Sequence, residues 1–159
     1  MTKKSAPAQE LRVISKGQYL RKVACINNKN SLDLSKIPSK DVKMEFSIQP
    51  AFNKLSDNDY ETVLGFNVKS KLGEEDIILQ IEMEYVGNFA LEGDVAEALK
   101  QEVLLTSCAE MLFPFARSEM AHISLASGFQ PIVLDPVDFR KFYQQYKTKT
   151  MESETVGHS

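Results

Sequence analysis

Alternating apolar and polar residues predict strands in the middle of the chain. Residues 42–49 alternate without a fault and Pro50 ends the run, which predicts a strand with one buried face. Two further runs, residues 60–72 and 77–85, flank the turn residues 73–76 and predict a hairpin. In that hairpin the apolar residues of both strands fall on the same face, so the predicted register is self-consistent.

The first forty residues carry a weaker pattern. Several apolar residues in the segment 10–26 lie at odd positions, which predicts a long first strand that Gly17 interrupts with a bend or bulge. Residues 31–40 contain Pro38 and mix polar with apolar side chains, so we expect an extended crossover there. The chain therefore offers four strands before its helices.

Beyond residue 93 the apolar residues recur at helical spacing. Asp94 followed by Glu97 is typical of a helix start, and Gly128 lies where a glycine often ends a helix. Pro114 is the one turn signal between them, so we predict one long helix kinked near Pro114, or two helices that meet there. Its apolar residues cover more than one face, so the helix is expected to pack against its own sheet and against another subunit.

The final helix is predicted from its start signals and an aromatic stripe. Asp135 is the expected cap and Pro136 the first helical residue. Aromatic residues then recur at helical spacing at Phe139, Phe142, Tyr143 and Tyr146. The order of elements predicts an α+β fold, a four-stranded antiparallel sheet with a long kinked helix and a short C-terminal helix on one face. We expect a single domain over 10–146, with disordered segments at residues 1–9 and 147–159.

The composition fits one soluble domain. The 159 residues are 43% hydrophobic and 26% charged, which supplies a core and excludes a disordered tail protein, a disulfide-stabilised miniprotein and a membrane protein. We recognise no signal peptide and no membrane-spanning run, so we expect a cytoplasmic protein without membrane insertion. Cys25 and Cys108 lack a metal-binding spacing and are interpreted as reduced thiols.

Charge is unevenly distributed along the chain. Residues 1–40 hold nine Lys or Arg against two acids, whereas the remaining residues hold ten against twenty. This division predicts two surfaces with different partners. Nucleic acid is not a predicted partner, because the basic residues are spread over a strand, a loop and a crossover without interleaved aromatic residues.

The sequence contains no motif that marks catalysis or metal binding. A glycine-rich phosphate loop, a zinc-binding pattern and a nucleophile motif are all missing. His122 is a lone histidine on a predicted helix and is interpreted as structural, and the acids at 74–76, 82 and 84 are interpreted as solvated. We therefore predict no enzyme, no metal and no cofactor, and keep a small-ligand-binding α+β domain as an alternative.

The chain is rich in soft and aromatic residues, with nine Phe, five Tyr, six Met and no Trp. Several of them fall outside the predicted core stripes: Phe52, Tyr60, Phe89, Phe113 and Phe129. Such residues either close loops over the core or line an apolar groove that accepts varied extended chains.

Several segments resemble the SecB family of protein-export chaperones. Leu-Phe-Pro-Phe-Ala-Arg at 112–117 is similar to the family signature LFPYAR, and residues 128–139 are similar to the pattern GxFPPLxLxPVNF. Leu-Gly-Glu-Glu at 72–75 and Glu-Tyr-Val-Gly-Asn-Phe at 84–89 resemble the hairpin turn and the EYxGxF strand end of the family. The resemblance covers about residues 10–146.

The resemblance implies a homotetramer, built as a dimer of dimers, that holds unfolded preproteins in long apolar grooves without ATP. Members of the family pass those preproteins to the SecA motor ATPase, which docks on an acidic outer face of the sheet. The residues expected to line or edge the groove are Phe52, Tyr60, Phe89, Phe113, Phe115 and Phe129. The expected SecA contacts are Leu79, Glu82 and Glu84.

The first strand departs from the family pattern. Lys22 and Ile26 stand where the family usually has acids. Some SecB-like proteins instead shield the antitoxin of a toxin–antitoxin pair, and the basic first strand motivates this alternative, with an antitoxin as the partner.

Overall fold

The computed structural model describes residues 10–156 as a four-stranded sheet with helices on one face. The strands are β1 (Arg12–Asn27), β2 (Val42–Lys54), β3 (Asp59–Leu72) and β4 (Asp76–Glu92). The helices are α1 (Ser31–Lys36), α2 (Glu97–Leu105), α3 (Ser107–Ala126) and α4 (Phe139–Val156), with a 3-10 turn at Ser39–Asp41. The strands are antiparallel in the order β1-β4-β3-β2, so the predicted α+β fold is confirmed.

The central strands β3 and β4 carry the core. Phe66 lies opposite Met83, as the hairpin register predicted, and both side chains are buried. The long helix α3 packs on these two strands through residues such as Leu112. Met44 and Phe46 on the edge strand β2 share this face but stay 49% and 37% exposed. Alternation therefore identified the inner face of the sheet correctly. The helices do not fully cover that face at the edge strand β2.

Strand β1 is interrupted by two bulges. The pairing with β4 shifts between Ser15 and Gly17 and again between Leu20 and Lys22. The first shift makes Lys16 an extra residue directly before Gly17, so the bend or bulge predicted at this glycine is confirmed. The second shift makes Arg21 an extra residue and directs its side chain to the sheet face that the helices leave open, called here the open face.

The crossover between β1 and β2 differs from its prediction. Residues 31–40 were expected to be extended, but they contain α1 and the start of the 3-10 turn. Asn30 caps α1, because its side-chain oxygen accepts a hydrogen bond from the backbone N–H of Asp33 at 2.9 Å. The mixed polarity of the segment therefore reflects a short helix that is mostly exposed, with Leu34 partly buried.

The long helical region breaks at Thr106, and not at Pro114 as predicted. Thr106 has φ −115° and ψ −83°, and Pro114 lies inside α3. At the break, the hydroxyl of Thr62 on β3 donates to the carbonyl oxygen of the buried Leu104 at 2.9 Å. The Glu102 carbonyl accepts the Thr106 N–H at 2.9 Å and the Thr106 hydroxyl at 2.6 Å. The bond from Thr62 therefore supplies a partner to a buried carbonyl where the helix changes direction.

Helix α4 starts later and ends later than predicted. Asp138, and not Asp135, caps it, because its carboxylate accepts the backbone N–H groups of Arg140 and Lys141 at 3.1 and 3.3 Å. The helix continues to Val156, whereas the chain was expected to be disordered from residue 147. Hydroxyls of the last turns donate to carbonyls four residues earlier, as from Thr148 at 3.0 Å. Residues 1–9 and 157–159 lie outside the described part of the chain.

The two cysteines are expected to differ sharply in reactivity. Cys108 is fully buried, and burial raises the pKa of its thiol to about 12, so it stays protonated and unreactive in the native state. Cys25 is exposed on β1. Mass spectrometry after alkylation with iodoacetamide is expected to find Cys108 unmodified in the native protein and modified in denaturant. Modification of native Cys108 would contradict the packing of α3 on β3.

Candidate functional site

An open cleft of about 450 Å³ lies on the helix-covered side of the sheet, next to the crossover. Three parts of the chain line it: the crossover at 34–39, the sheet, and the loop 128–133 that follows α3. The sheet contributes Val42, Met44, Ser70 and Ile78. We call this site the crossover cleft. Most of the side chains that line it are apolar, so it offers apolar area to an extended chain segment.

The end of α3 places Phe129 at the crossover cleft. Gly128 adopts φ +82°, which glycine tolerates, and its N–H bonds the Leu125 carbonyl at 3.1 Å. The Phe129 N–H bonds the Ser124 carbonyl at 3.1 Å, which completes a Schellman motif and confirms Gly128 as the residue that ends the helix. The buried Ser124 hydroxyl also accepts the N–H of Ile132 at 2.8 Å, so this wall of the cleft is tied to the helix end.

A second cleft of about 420 Å³ lies between the first bulge of β1 and helix α3. Residues 15–18, Phe89, Met111 and Phe115 line it, and we call it the bulge cleft. Phe89 is 1% exposed and forms its floor, whereas Met111 and Phe115 are 48% and 51% exposed on α3. The two α3 side chains are therefore free in a single chain to contact another molecule.

The six aromatic residues predicted to line one groove are separated in the structure. Phe129 lies at the crossover cleft, and Phe89 and Phe115 lie at the bulge cleft. The other three are in or against the core: Phe52, Tyr60 and Phe113. The structure therefore brings Phe89 and Phe115 together but assigns different surroundings to the rest.

Phe113 belongs to a series of aromatic rings that crosses the core. It is 8% exposed, and its ring centroid lies 6.4 Å from that of Phe66 on β3 and 5.8 Å from that of Phe139 on α4. Such spacings are favourable for aromatic pairs. Phe113 therefore joins the sheet to the C-terminal helix and does not face a groove.

Tyr60 ties β3 to the start of α2. The side chain is 2% exposed, and its hydroxyl donates to the Glu97 carboxylate at 3.1 Å. Lys54 lies over the ring and pairs with the same carboxylate at 3.6 Å. Tyr60 therefore has a structural role in this arrangement.

The crossover cleft also contains residues that sequence reasoning did not select. Leu34 and Ile37 come from the crossover, and Met44 was assigned to the core by its alternation. The apolar side chains of Leu34 and Ile37 were visible in the sequence as possible groove residues. The crossover is too short to show a periodic pattern, so the face to which these side chains point could not be predicted. Met44 is exposed because its strand, β2, lies at the edge of the sheet. Alternation predicts the face of a residue but not whether its strand is central or at the edge.

The acids predicted to contact SecA lie on β4 and are paired within the chain. Lys22 Nζ lies 3.3 Å from the Glu82 carboxylate. The Arg21 guanidinium lies 2.9 Å from Glu84 and 3.2 Å from Glu61. The hydrogen bond to Glu84 is the main cause that raises the pKa of Arg21, so this group remains a cation. Both cations come from the basic first strand, and the open face is therefore of mixed charge.

Leu79 does not lie on the open face. It is 1% exposed, belongs to the core cluster and is opposite Ser70 of β3. Glu82 and Glu84 have side chains that are 41% and 36% exposed on the other face of the same strand. The structure therefore separates Leu79 from the two acids with which it was predicted to act.

Residues 10–156 contain neither a membrane-spanning helix nor a candidate metal cluster. None of the helices in this part of the chain is long and apolar enough to span a membrane. Among the same residues, His, Cys, Asp and Glu side chains do not gather in groups of three or more that could hold a metal ion.

The fold is that of a SecB-like chaperone. It is similar to the SecB-like chaperone of Mycobacterium tuberculosis, solved in complex with a peptide from the HigA1 antitoxin, with a TM-score of 0.66. The match covers 80% of this chain and 91% of that chain at 11% sequence identity, so it concerns the fold alone.

The sequence identifies the family. The model of the family described as preprotein translocase subunit SecB matches residues 5–150. The protein-export protein SecB of Ruegeria pomeroyi is 32% identical, with 87% of this chain and 82% of that protein covered. The corresponding protein of Orientia tsutsugamushi is 29% identical, with 98% and 94% covered. The chain belongs to the SecB family, and membership of this family supports the chaperone function predicted from the sequence.

Proposed function

We propose that the protein is an ATP-independent holdase that binds unfolded preproteins along the crossover cleft. The open apolar cleft with Phe129 in its wall, in a chain of the SecB family, is the observation that supports this most directly. Holding a client makes and breaks no covalent bond, so the proposal includes no enzymatic activity, metal or cofactor. We place this action in the cytoplasm, without insertion into a membrane.

Client affinity in this proposal comes from apolar area removed from water. Such area contributes roughly 25 cal/mol per Å², so a segment that buries a few hundred Å² gains several kcal/mol. The effect has no preferred direction, so many client sequences can bind. Met44, 49% exposed at the cleft, has a flexible side chain that adapts to different clients.

We propose that the protein works as a homotetramer built from two dimers. Exposed apolar side chains on β1 and α3 support this assembly. Leu20 and Val23 share one face of β1 and are 37% and 43% exposed, and Met111 and Phe115 on α3 are 48% and 51% exposed. Apolar patches of this kind are typical of surfaces that pack against another subunit. In this assembly the bulge cleft lies near a contact between copies.

SecA is the proposed partner of the open face. Glu82 and Glu84 reach solvent there and are the proposed contacts. Leu79 is buried on the opposite side, so its proposed contribution is to hold β4 in position. Delivery to SecA then requires only that the client and SecA occupy different faces of the same sheet.

An antitoxin-dedicated chaperone is the second candidate. The M. tuberculosis neighbour was solved with an antitoxin peptide, and two cations of β1 neutralise acids on the open face of this chain. The relatives at about 30% identity are protein-export proteins, which favours export. A toxin–antitoxin gene pair beside this gene, with selective binding of that antitoxin, would favour the second candidate instead. The open clefts do not favour a small-ligand-binding domain.

Phe129→Asp is expected to weaken client binding about tenfold or more while the protein stays folded. The client would have to bury its apolar segment against a charge, and this costs more than the 1.4 kcal/mol that corresponds to a factor of ten. The measurement is the chaperone concentration that halves aggregation of an unfolded client, followed by light scattering.

Tyr146→Asp is the matched control for this substitution. Tyr146 is 43% exposed on α4 and does not line the crossover cleft, so the variant introduces the same charge at an exposed aromatic position elsewhere. Equal protection by both variants would contradict the assignment of the cleft. If Phe129→Asp loses its circular dichroism signal, Phe129→Ala replaces it in the comparison.

A further inference from the structure

Two of the ion-paired cations of β1, Arg21 and Lys22, have different environments on the open face. Arg21 bridges two acids, and one of them, Glu61, is only 9% exposed. Glu61 also accepts a hydrogen bond from the Asn53 side chain at 2.7 Å. Removing Arg21 would leave a nearly buried carboxylate without its cation, so this part of the network is structural. Glu84 shares Arg21 with this carboxylate, so a partner that contacts Glu84 meets an acid that already has a structural cation beside it.

The pair between Lys22 and Glu82 is much weaker. It rests on one contact of 3.3 Å, and the two side chains are 53% and 41% exposed. Exposed pairs of this kind contribute little, because water and salt screen them and both side chains lose freedom. Glu82 can therefore exchange Lys22 for another donor at small cost.

A polar hollow of about 220 Å³ next to this pair gives a second molecule room to reach it. Lys22, Glu82, Asn67 and Gln49 line the hollow together with Gly65. Gly65 has no side chain to fill the space, and a Cβ built there would meet only the Gln49 carbonyl, at 3.5 Å. A side chain of a docked partner can thus approach Glu82 from solvent without displacing the sheet.

We propose that Lys22 is an intramolecular competitor for Glu82 that sets the affinity of the open face for a partner carrying basic side chains. Lys22 occupies the carboxylate that an ammonium or guanidinium group of the partner would otherwise contact. Binding of the partner then replaces the ion pair between Lys22 and Glu82 with one between the partner and Glu82. Only the difference in free energy between these two ion pairs contributes to the affinity. This inference rests on the proposed docking of SecA at the same face.

The test compares SecA binding of variants by isothermal titration calorimetry at low salt. Lys22→Gln is expected to bind purified SecA about two- to fivefold more tightly, the range that corresponds to an exposed ion pair. The double variant Lys22→Gln with Glu82→Gln is expected to lose this gain, because the released carboxylate is then missing. High salt is expected to reduce the gain as well.

Lys43→Gln is the matched control. Lys43 lies on the same face and pairs with Glu74 at 3.6 Å, with side chains 71% and 91% exposed, so its removal changes the net charge equally without freeing Glu82. Unchanged SecA affinity in Lys22→Gln, or an equal gain in Lys43→Gln, would overturn the competitor role while leaving SecA docking intact. Failure of every variant, the original protein included, to bind SecA would overturn the docking proposal and the competitor role with it.

Discussion

Phe113→Asp is expected to abolish the native fold. Phe113 is buried between the rings of Phe66 and Phe139, with centroids 6.4 and 5.8 Å away. Removing such a ring costs about 3–5 kcal/mol, and a buried carboxylate without a partner adds several kcal/mol. The sum approaches the stability of a whole domain, about 5–15 kcal/mol. Far-UV circular dichroism and size-exclusion chromatography are expected to report an unfolded or aggregated chain.

Phe113→Leu is the control for this prediction. It keeps an apolar side chain, so the protein is expected to fold with a free energy of unfolding lowered by about 1–2 kcal/mol. A Phe113→Asp variant that folds normally but no longer binds clients would contradict the core position. It would return Phe113 to the groove role that the sequence predicted.

Gly87→Val is expected to destabilise the protein severely, because helix α3 packs directly on the backbone of β4 at this position. A Cβ built on Gly87 would lie 2.5 Å from Leu112 Cδ2 and 2.7 Å from Phe89 Cε2. Both neighbours are 1% exposed, so a side chain at residue 87 has to displace packed rings and methyl groups of the core. Overpacking of a core costs about 1–3 kcal/mol, and the two γ-methyl groups of valine place this variant at or above the upper end. Urea denaturation followed by circular dichroism measures the loss.

Gly65→Ala is the matched control, since Gly65 also lies within a central strand. Its added Cβ would meet only the Gln49 carbonyl at 3.5 Å, an ordinary contact, so the free energy of unfolding is expected to change by less than about 1 kcal/mol. Equal stability of the Gly87→Val and Gly65→Ala variants would contradict the close approach of α3 to the sheet. The close contact of Leu112 with β4 explains why the segment Glu-Tyr-Val-Gly-Asn-Phe has a glycine at residue 87, where a side chain would not fit.

The features that sequence predicted correctly depend on short-range periodicity and backbone preference. Alternation placed Phe66 and Met83 on the same buried face, because side chains of a strand point to opposite faces in turn. Gly17 lies next to a bulge, as predicted. Gly128 ends α3, because its φ of +82° is a backbone conformation that glycine adopts easily. The helical segments and the resemblance at 112–117 were sufficient for the fold class and the family.

The features that sequence did not predict depend on residues far apart in the chain. The helix break at Thr106 involves a hydrogen bond from Thr62 to Leu104, 42 residues apart, and no local pattern announces it. Tyr60 is buried in the core, and its hydroxyl donates to Glu97 on a helix 37 residues later in the chain. The ion pair between Lys22 and Glu82 links residues 60 apart, although the opposite charges of their two segments were visible.

Suppression of client aggregation without ATP is the most direct test of the central claim. A denatured preprotein is diluted into buffer with increasing amounts of the assembled protein, and light scattering is followed over time. We predict that scattering is suppressed at a near-stoichiometric ratio of tetramer to client and that added ATP changes nothing. Full aggregation of the client at a large excess of the folded protein would contradict the holdase function.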